Sequence, residues 1–179
     1  MKKIIALLLV AVMALSMVAC GEGSSNASYK VAMITDYGDI TDQSFNQTTW
    51  EAVVAFGQQN NVETKYYKPV SNDTAGRVAM VELAIADGYN VIVMPGYAFG
   101  STIAEVSAEY PDVKFIALDV SKGDLLEGGV ALKGESYDYN PDNWDLSKYV
   151  YMDNVYCAIY QEELCGYMAG YAAVKLGYT

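Results

Sequence analysis

Asp36, Phe45, Asn46 and Asp119 are the residues of this chain whose types and placement could do chemistry. Asp36 closes the apolar run that begins at Val31, and Phe45 and Asn46 open the helical pattern that follows it. A carboxylate supplies two acceptors, an amide a donor and an acceptor, and a phenyl ring a flat apolar face. That set suits a planar heterocycle bearing N–H groups. A phosphate would call for glycines and cations, yet the loop between Asp36 and Phe45 holds one glycine, Gly38, and no Lys or Arg. Asp119 ends a second apolar run, VKFIALD, and so falls on the same rim if both runs are parallel strands. Gly96 and Tyr97 follow a third run: the glycine would let backbone approach a ligand and the tyrosine would wall it, although Pro95-Gly96 is also an ordinary turn signal. The plainer alternative makes Asp36 and Asp42 turn and cap residues and Phe45 a staple onto the core. The two carboxylates could also serve a hydrolase as acid and base.

The chain has no histidine, which removes His-dependent triads and His-ligated metal sites. Cys157 and Cys165 lie in a strand pattern and a helix pattern; a disulfide between them is open outside the cytoplasm, but buried free thiols are the favoured expectation. Neither supports catalysis. No catalytic group, cofactor or metal site is expected.

Those positions need elements to hold them. From 30 to 119 the pattern alternates: strand 31–36, helix 44–59, strand 62–67, helix 73–86, strand 90–95, helix 100–109 and strand 113–119. Strands alternating with helices predict an α/β fold, a parallel sheet with helices on both faces. Trp50, Val53, Val54 and Gly57 fall on one helix face, and Val78, Val81 and Ile85 on another, with stop signals at Gly57 and Gly88. Ser44 and Gln47 have capping-box spacing, and Asp42 is a second candidate cap. Residues 121–148 interrupt the rhythm with an acidic, aromatic insertion, either a lid or rim loop or, the favoured reading, a hairpin that packs on the outside. A strand over 149–158 and a helix over 161–175 follow.

The amino terminus reads separately. Lys2 and Lys3 precede a largely apolar run from Ile4 to Val18 that ends at Cys20, the shape of a lipoprotein signal covering 1–19 with lipid attachment at Cys20 and a flexible tether over 20–29. Removing 1–19 takes two lysines and leaves nine cations against 22 acids, a net charge of −13. Nucleic acid is a poor partner for such a chain.

The D-x-G…D-x-S-F-N-Q…W pattern, carried by Asp36, Gly38, Asp42, Ser44, Phe45, Asn46, Gln47 and Trp50, resembles the basic membrane protein (Bmp) family of solute-binding lipoproteins similar to the purine nucleoside receptor. VIVMPGYAFG at 91–100, YPDVKFIALD at 110–119 and EELCGYMAGYAA at 162–173 fit the same family. The resemblance implies a type I periplasmic-binding-protein-like lobe over 30–158 and, over 159–179, the first helix of a second lobe. It implies nucleoside capture for an ABC importer, with the permease and ATPase subunits as partners and a lipid anchor on the extracytoplasmic face of a bacterial cell membrane. Asp36 and Asp119 would meet polar edges of the ligand, Phe45 would stack on its base, and Asn46 would lie beside them. A surface sensor or adhesin, or a binding protein for riboflavin or a sugar, are the competing readings. Gln161 and Cys165 depart from the family, where an Arg and a small residue are usual.

Overall fold

The computed structural model describes residues 29–178. Five strands, β1 (Val31–Ile34), β2 (Thr64–Tyr67), β3 (Val91–Pro95), β4 (Lys114–Leu118) and β5 (Val155–Ala158), form one sheet in the order β2-β1-β3-β4-β5. Every pairing is parallel, so every loop that leaves a strand leaves from the same edge. β1 is VAMI, buried at all four positions. Only a strand covered on both faces can be apolar throughout.

The helices are α1 (Phe45–Asn60), α2 (Thr74–Ala86), α3 (Phe99–Val106), α4 (Lys122–Leu132) and α5 (Glu162–Lys175). On one sheet face, Ala32, Ile34, Ile92, Met94, Phe115 and Ala117 pack with Val81, Ile103 and Leu125 from α2, α3 and α4. On the other, Val31, Met33 and Val93 meet Val53 of α1 and the half-buried Trp50. Beside α1 this second face stays open: Val91, Val93, Ile116, Val53 and Phe56 line an apolar hollow of about 250 Å³.

Three local expectations are corrected. Gly57 does not stop α1. The helix runs on to Asn60 and ends at Asn61, which takes the left-handed conformation (φ 53°) and returns its N–H to Gly57 O. Gly57 is small because a Cβ there would lie 2.5 Å from Thr64 Cγ2. Residues 121–148 form neither one rim loop nor a hairpin, since 122–132 form α4 and no strand lies between 121 and 148. Its start carries a complete capping box between Ser121 and Asp124. The remainder, 133–148, holds two short 3-10 turns at Pro141–Asn143 and Leu146–Lys148 and lays Tyr137 and Trp144 against Gly123 of α4. Finally, Cys157 is a half-buried free thiol, but Cys165 is exposed. It sits on α5, where Leu164, Tyr167, Met168, Tyr171 and Val174 are all exposed.

Candidate functional site

The carboxyl edge of the sheet brings together most of the residues singled out in the sequence. Asp36 lies two residues beyond β1 and Gly96 one residue beyond β3. A Cβ placed on Gly96 would be 4.0 Å from Asp36 Cβ. Gly96 N donates to Leu118 O at 2.8 Å, and Asp119 N donates to Ala158 O at 2.7 Å, which stitches the ends of β3, β4 and β5 in series. Since β3 alone separates β1 from β4, the strand ends carrying Asp36 and Asp119 are roughly 10 Å apart. A flat ring system fits across that interval.

Asp36 is held by its loop. Its Oδ1 accepts from Tyr37 N at 2.5 Å, Gly38 N at 2.7 Å and Asn46 Nδ2 at 2.9 Å. Oδ2 takes none of these three bonds and is left to accept from something else. Burial alone would raise this carboxyl, but the N–H groups of Gly38 and Tyr37 and the amide of Asn46 outweigh it and hold Asp36 below the usual range.

Asn46 is the organiser of that arrangement. It is 4% exposed, and its Nδ2 donates to Asp36 Oδ1 and to Asp42 Oδ2, both at 2.9 Å, while its Oδ1 accepts from Asp36 N at 3.2 Å. With both amide protons used inside the loop, its geometry is that of a group that positions the acid. Asp42 also supplies the cap of α1: its Oδ1 accepts from Ser44 N at 2.8 Å and Gln47 N at 3.2 Å. Ser44 makes no side-chain cap bond, and Gln47 reaches back to Gln43 N instead. The expected Ser44–Gln47 capping box is therefore replaced by a cap from Asp42, two residues earlier.

Phe45 is half-buried and meets Tyr160 edge-on, with ring centroids 5.8 Å apart and planes at 73°. Phe45 leaves the β1 loop and Tyr160 follows β5 by two residues, so the two rings reach toward each other past the ends of β3 and β4. Tyr97 is 70% exposed. Asp119 adopts φ 60°, a conformation that Asp and Asn tolerate better than other residues with a Cβ. Backbone strain of this kind concentrates at binding sites.

Asp119 differs from Asp36 electrostatically. Burial, then the charges of Glu162 and Asp124, push its carboxyl upward. A raised folded-state value means that ionisation opposes folding: the stability it contributes is present below the unfolded value and is lost as pH rises through the folded one. Asp119→Asn is therefore expected to raise stability at pH 7 by less than about 1 kcal/mol, because partly exposed charges are screened. The gain should shrink as pH falls toward 4. Urea midpoints of the two proteins at pH 7 and pH 4 check this.

Two residues at the rim escaped sequence reasoning. Tyr160 carried only the weak signal of an aromatic just past a strand. Arg77, the sole arginine of the chain, donates from Nη1 to Asp36 O at 3.3 Å. Its singularity was the available clue. Cys20 lies outside the described residues, as do the signal segment and most of the tether.

A parallel α/β sheet with its polar groups gathered at the carboxyl edge is the open architecture that takes ligands outside the carboxyl ends of its strands. The chain belongs to the Bmp family, described as ABC transporter substrate-binding proteins of the PnrA-like type, whose profile matches residues 29–178. Curated relatives include the CD4+ T-cell-stimulating antigen of Listeria monocytogenes, 34% identical over 56% of this chain and 32% of the relative. An uncharacterized lipoprotein of Pyrococcus abyssi is 31% identical over 56% and 25%. The ABC transporter nucleoside-binding protein BmpA of Lactococcus lactis is 26% identical over 54% and 28%. The match thus spans no more than about a third of these relatives' length. Among solved structures, a solute-binding protein of an ABC transporter system from Conexibacter woesei is 25% identical, with TM-score 0.46, over 56% of this chain and 32% of that one. A putative lipoprotein fragment from Peptoclostridium difficile is 21% identical, with TM-score 0.48, over 83% and 98%.

Proposed function

We propose that this chain is the ligand-gripping lobe of a lipid-anchored substrate-binding protein that delivers a nucleoside, a purine nucleoside in particular, to the permease and ATPase subunits of an ABC importer. The observation that carries this reading is the one-sided saturation of Asp36: three donors fix Oδ1, so Oδ2 can accept an N–H from a flat heterocycle. Asp119 stands across β3 to take a second polar edge. Phe45 offers a ring to stack on, Tyr97 and Gly96 border the cleft, and Asn46 keeps Asp36 in place. The name of the Lactococcus relative supports the ligand class, the Pyrococcus relative supports a lipoprotein, and Cys20 is the attachment point this reading requires. The reading makes the protein a carrier without turnover.

Capture by one rim alone is modest, because association entropy consumes much of what a stack and two charged hydrogen bonds supply. Base stacking on an aromatic side chain contributes about 1–3 kcal/mol, so Phe45→Ala should weaken nucleoside binding by about 5- to 150-fold while leaving the fold intact. Isothermal titration of the chain and of Phe45→Ala with inosine, guanosine and adenosine tests both statements. Silence toward all three alongside heat from riboflavin or a sugar would replace the nucleoside by another solute.

A further inference from the structure

Arg77 sits where packing does not call for a cation. It is 6% exposed and lies in the first turn of α2, where the helix dipole disfavours positive charge. Nη1 donates to Asp36 O at 3.3 Å and to Asn72 Oδ1 at 3.1 Å. The guanidinium lies 5.8 Å from the centroid of the Phe99 ring. Its Nε finds no acceptor, and no carboxylate forms an ion pair with it among the described residues. Burial of a guanidinium without a paired carboxylate is strongly unfavourable, and an apolar side chain against Phe99 would avoid that cost.

What the cation faces explains it. Asp42, from the loop before α1, shares the Asn46 amide with Asp36 and repels its charge. Asp73 caps α2, and Asp39 is already engaged by Lys68 at 3.2 Å. The β3–α3 loop brings Gly96 and the exposed Tyr97. Asp42 is thus the acid whose charge acts on Asp36, Asp73 acts on Arg77, and Arg77 is the cation that reaches the Asp36 main chain.

We propose that Arg77 is a positioning residue of the ligand site: its Nη1, shared between Asp36 O and Asn72 Oδ1, ties the chain just past β1 to the β2–α2 loop, and its buried charge keeps the Asp36 carboxylate ionised when a ligand covers it. Arg77 itself does not touch the ligand. The role of the ligand rests on the nucleoside reading, but the action on Asp36 stands without one.

The test follows the Asp36 carboxyl carbon by NMR titration of the ligand-free chain, with circular dichroism to confirm folding. In Arg77→Gln the proton affinity of Asp36 should rise by about threefold or more, as for an acid deprived of a nearby cation. Arg77→Lys should restore most of the native value, while its shorter side chain, which falls short of the two acceptors that Nη1 bridges, speeds hydrogen exchange at Gly38 N–H. A folded Arg77→Gln chain with unmoved Asp36 overturns the proposal, as does an equal displacement in both variants. Should Arg77→Gln not fold, the lysine chain decides: native titration with faster Gly38 exchange supports the proposal, and a displaced titration or native exchange overturns it. Nucleoside titration of the unaltered chain is read separately, and its failure would remove the ligand assignment without touching the Arg77 result.

Discussion

Asp36→Ala is expected to lower nucleoside affinity by more than about 100-fold and to cost about 2–3 kcal/mol of folding free energy. The binding loss follows from the removal of Oδ2, the acceptor left open to a ligand, since hydrogen bonds to a charged group contribute about 1.5–3 kcal/mol each and an unpaired ligand N–H adds its own desolvation cost. The stability loss follows from Oδ1, which leaves the N–H groups of Tyr37 and Gly38 and one amide proton of Asn46 without their acceptor. The three contributions do not add, because all fall on one oxygen and water can reach part of the loop. Asp36→Asn separates the two effects. Its remaining oxygen can serve the loop, so stability should change little, while the new amide group would donate toward the ligand and affinity should still fall. The pH dependence has a definite sign. Because the folded-state carboxyl is held low, its contribution is complete above the unfolded value of about 3.9 and is lost as pH falls through the folded one. Urea unfolding of the three proteins at pH 7 and in acid, paired with isothermal titration, measures all of this. An alanine variant that binds nucleoside as the parent does would remove Asp36 from the site.

The sheet was legible because burial on both faces leaves an unmistakable apolar run: VAMI, VIVMP and KFIAL each became a strand within a residue or two of its expected limits. Site legibility followed from topology, since in a parallel sheet the last residue of each such run must reach the same edge. Side-chain roles were less visible. Ser44 and Asp42 both satisfy the composition of a cap, and the choice between them depends on the main-chain path of 42–44, where Gln43 adopts φ 54°. The amide of Asn46 looked equally suited to a ligand, and only its burial between Asp36 and Asp42 shows that its protons are already spoken for. Helix α4 was hidden because KGDLLEGGVAL carries three glycines, which weaken any helical signal. Those glycines answer a packing need that no local pattern reveals: a Cβ at Gly128 would lie 2.5 Å from Ser101 Cα, and one at Gly129 would lie 2.5 Å from Tyr149 Cβ. The exposed apolar positions of α5 show the converse. Helical spacing foretold the helix but not what, if anything, it packs against.

The same close packing joins the two rim loops, and breaking it should have the largest effect on the fold. Gly100 is the second residue of α3, immediately after the Gly96–Tyr97 loop, and it faces Asp124, the capping-box residue of α4 that follows the Asp119 loop. A Cβ on Gly100 would lie 2.6 Å from the Asp124 carbonyl carbon and 2.9 Å from its Cβ. Backbone atoms of a capped helix cannot swing aside as the tip of a flexible side chain can, so α3 and α4 would have to separate. Overpacking of this kind costs about 1–3 kcal/mol, and the partial loss of the burial shared by Phe99, Ile103 and Leu125 adds to it. Gly100→Ala should therefore destabilise the chain by about 3 kcal/mol, which in a domain of this size lowers the thermal midpoint by roughly 6–12 °C. A smaller change that also leaves the chemical shifts of Gly96 and Asp119 in place would mean that the two loops are held independently. If instead both loops shift together and nucleoside affinity falls although neither Asp36 nor Phe45 has changed, the spacing between the acids is set by helix contact beneath the rim, and Gly100 is as much a part of the binding geometry as the carboxylates above it.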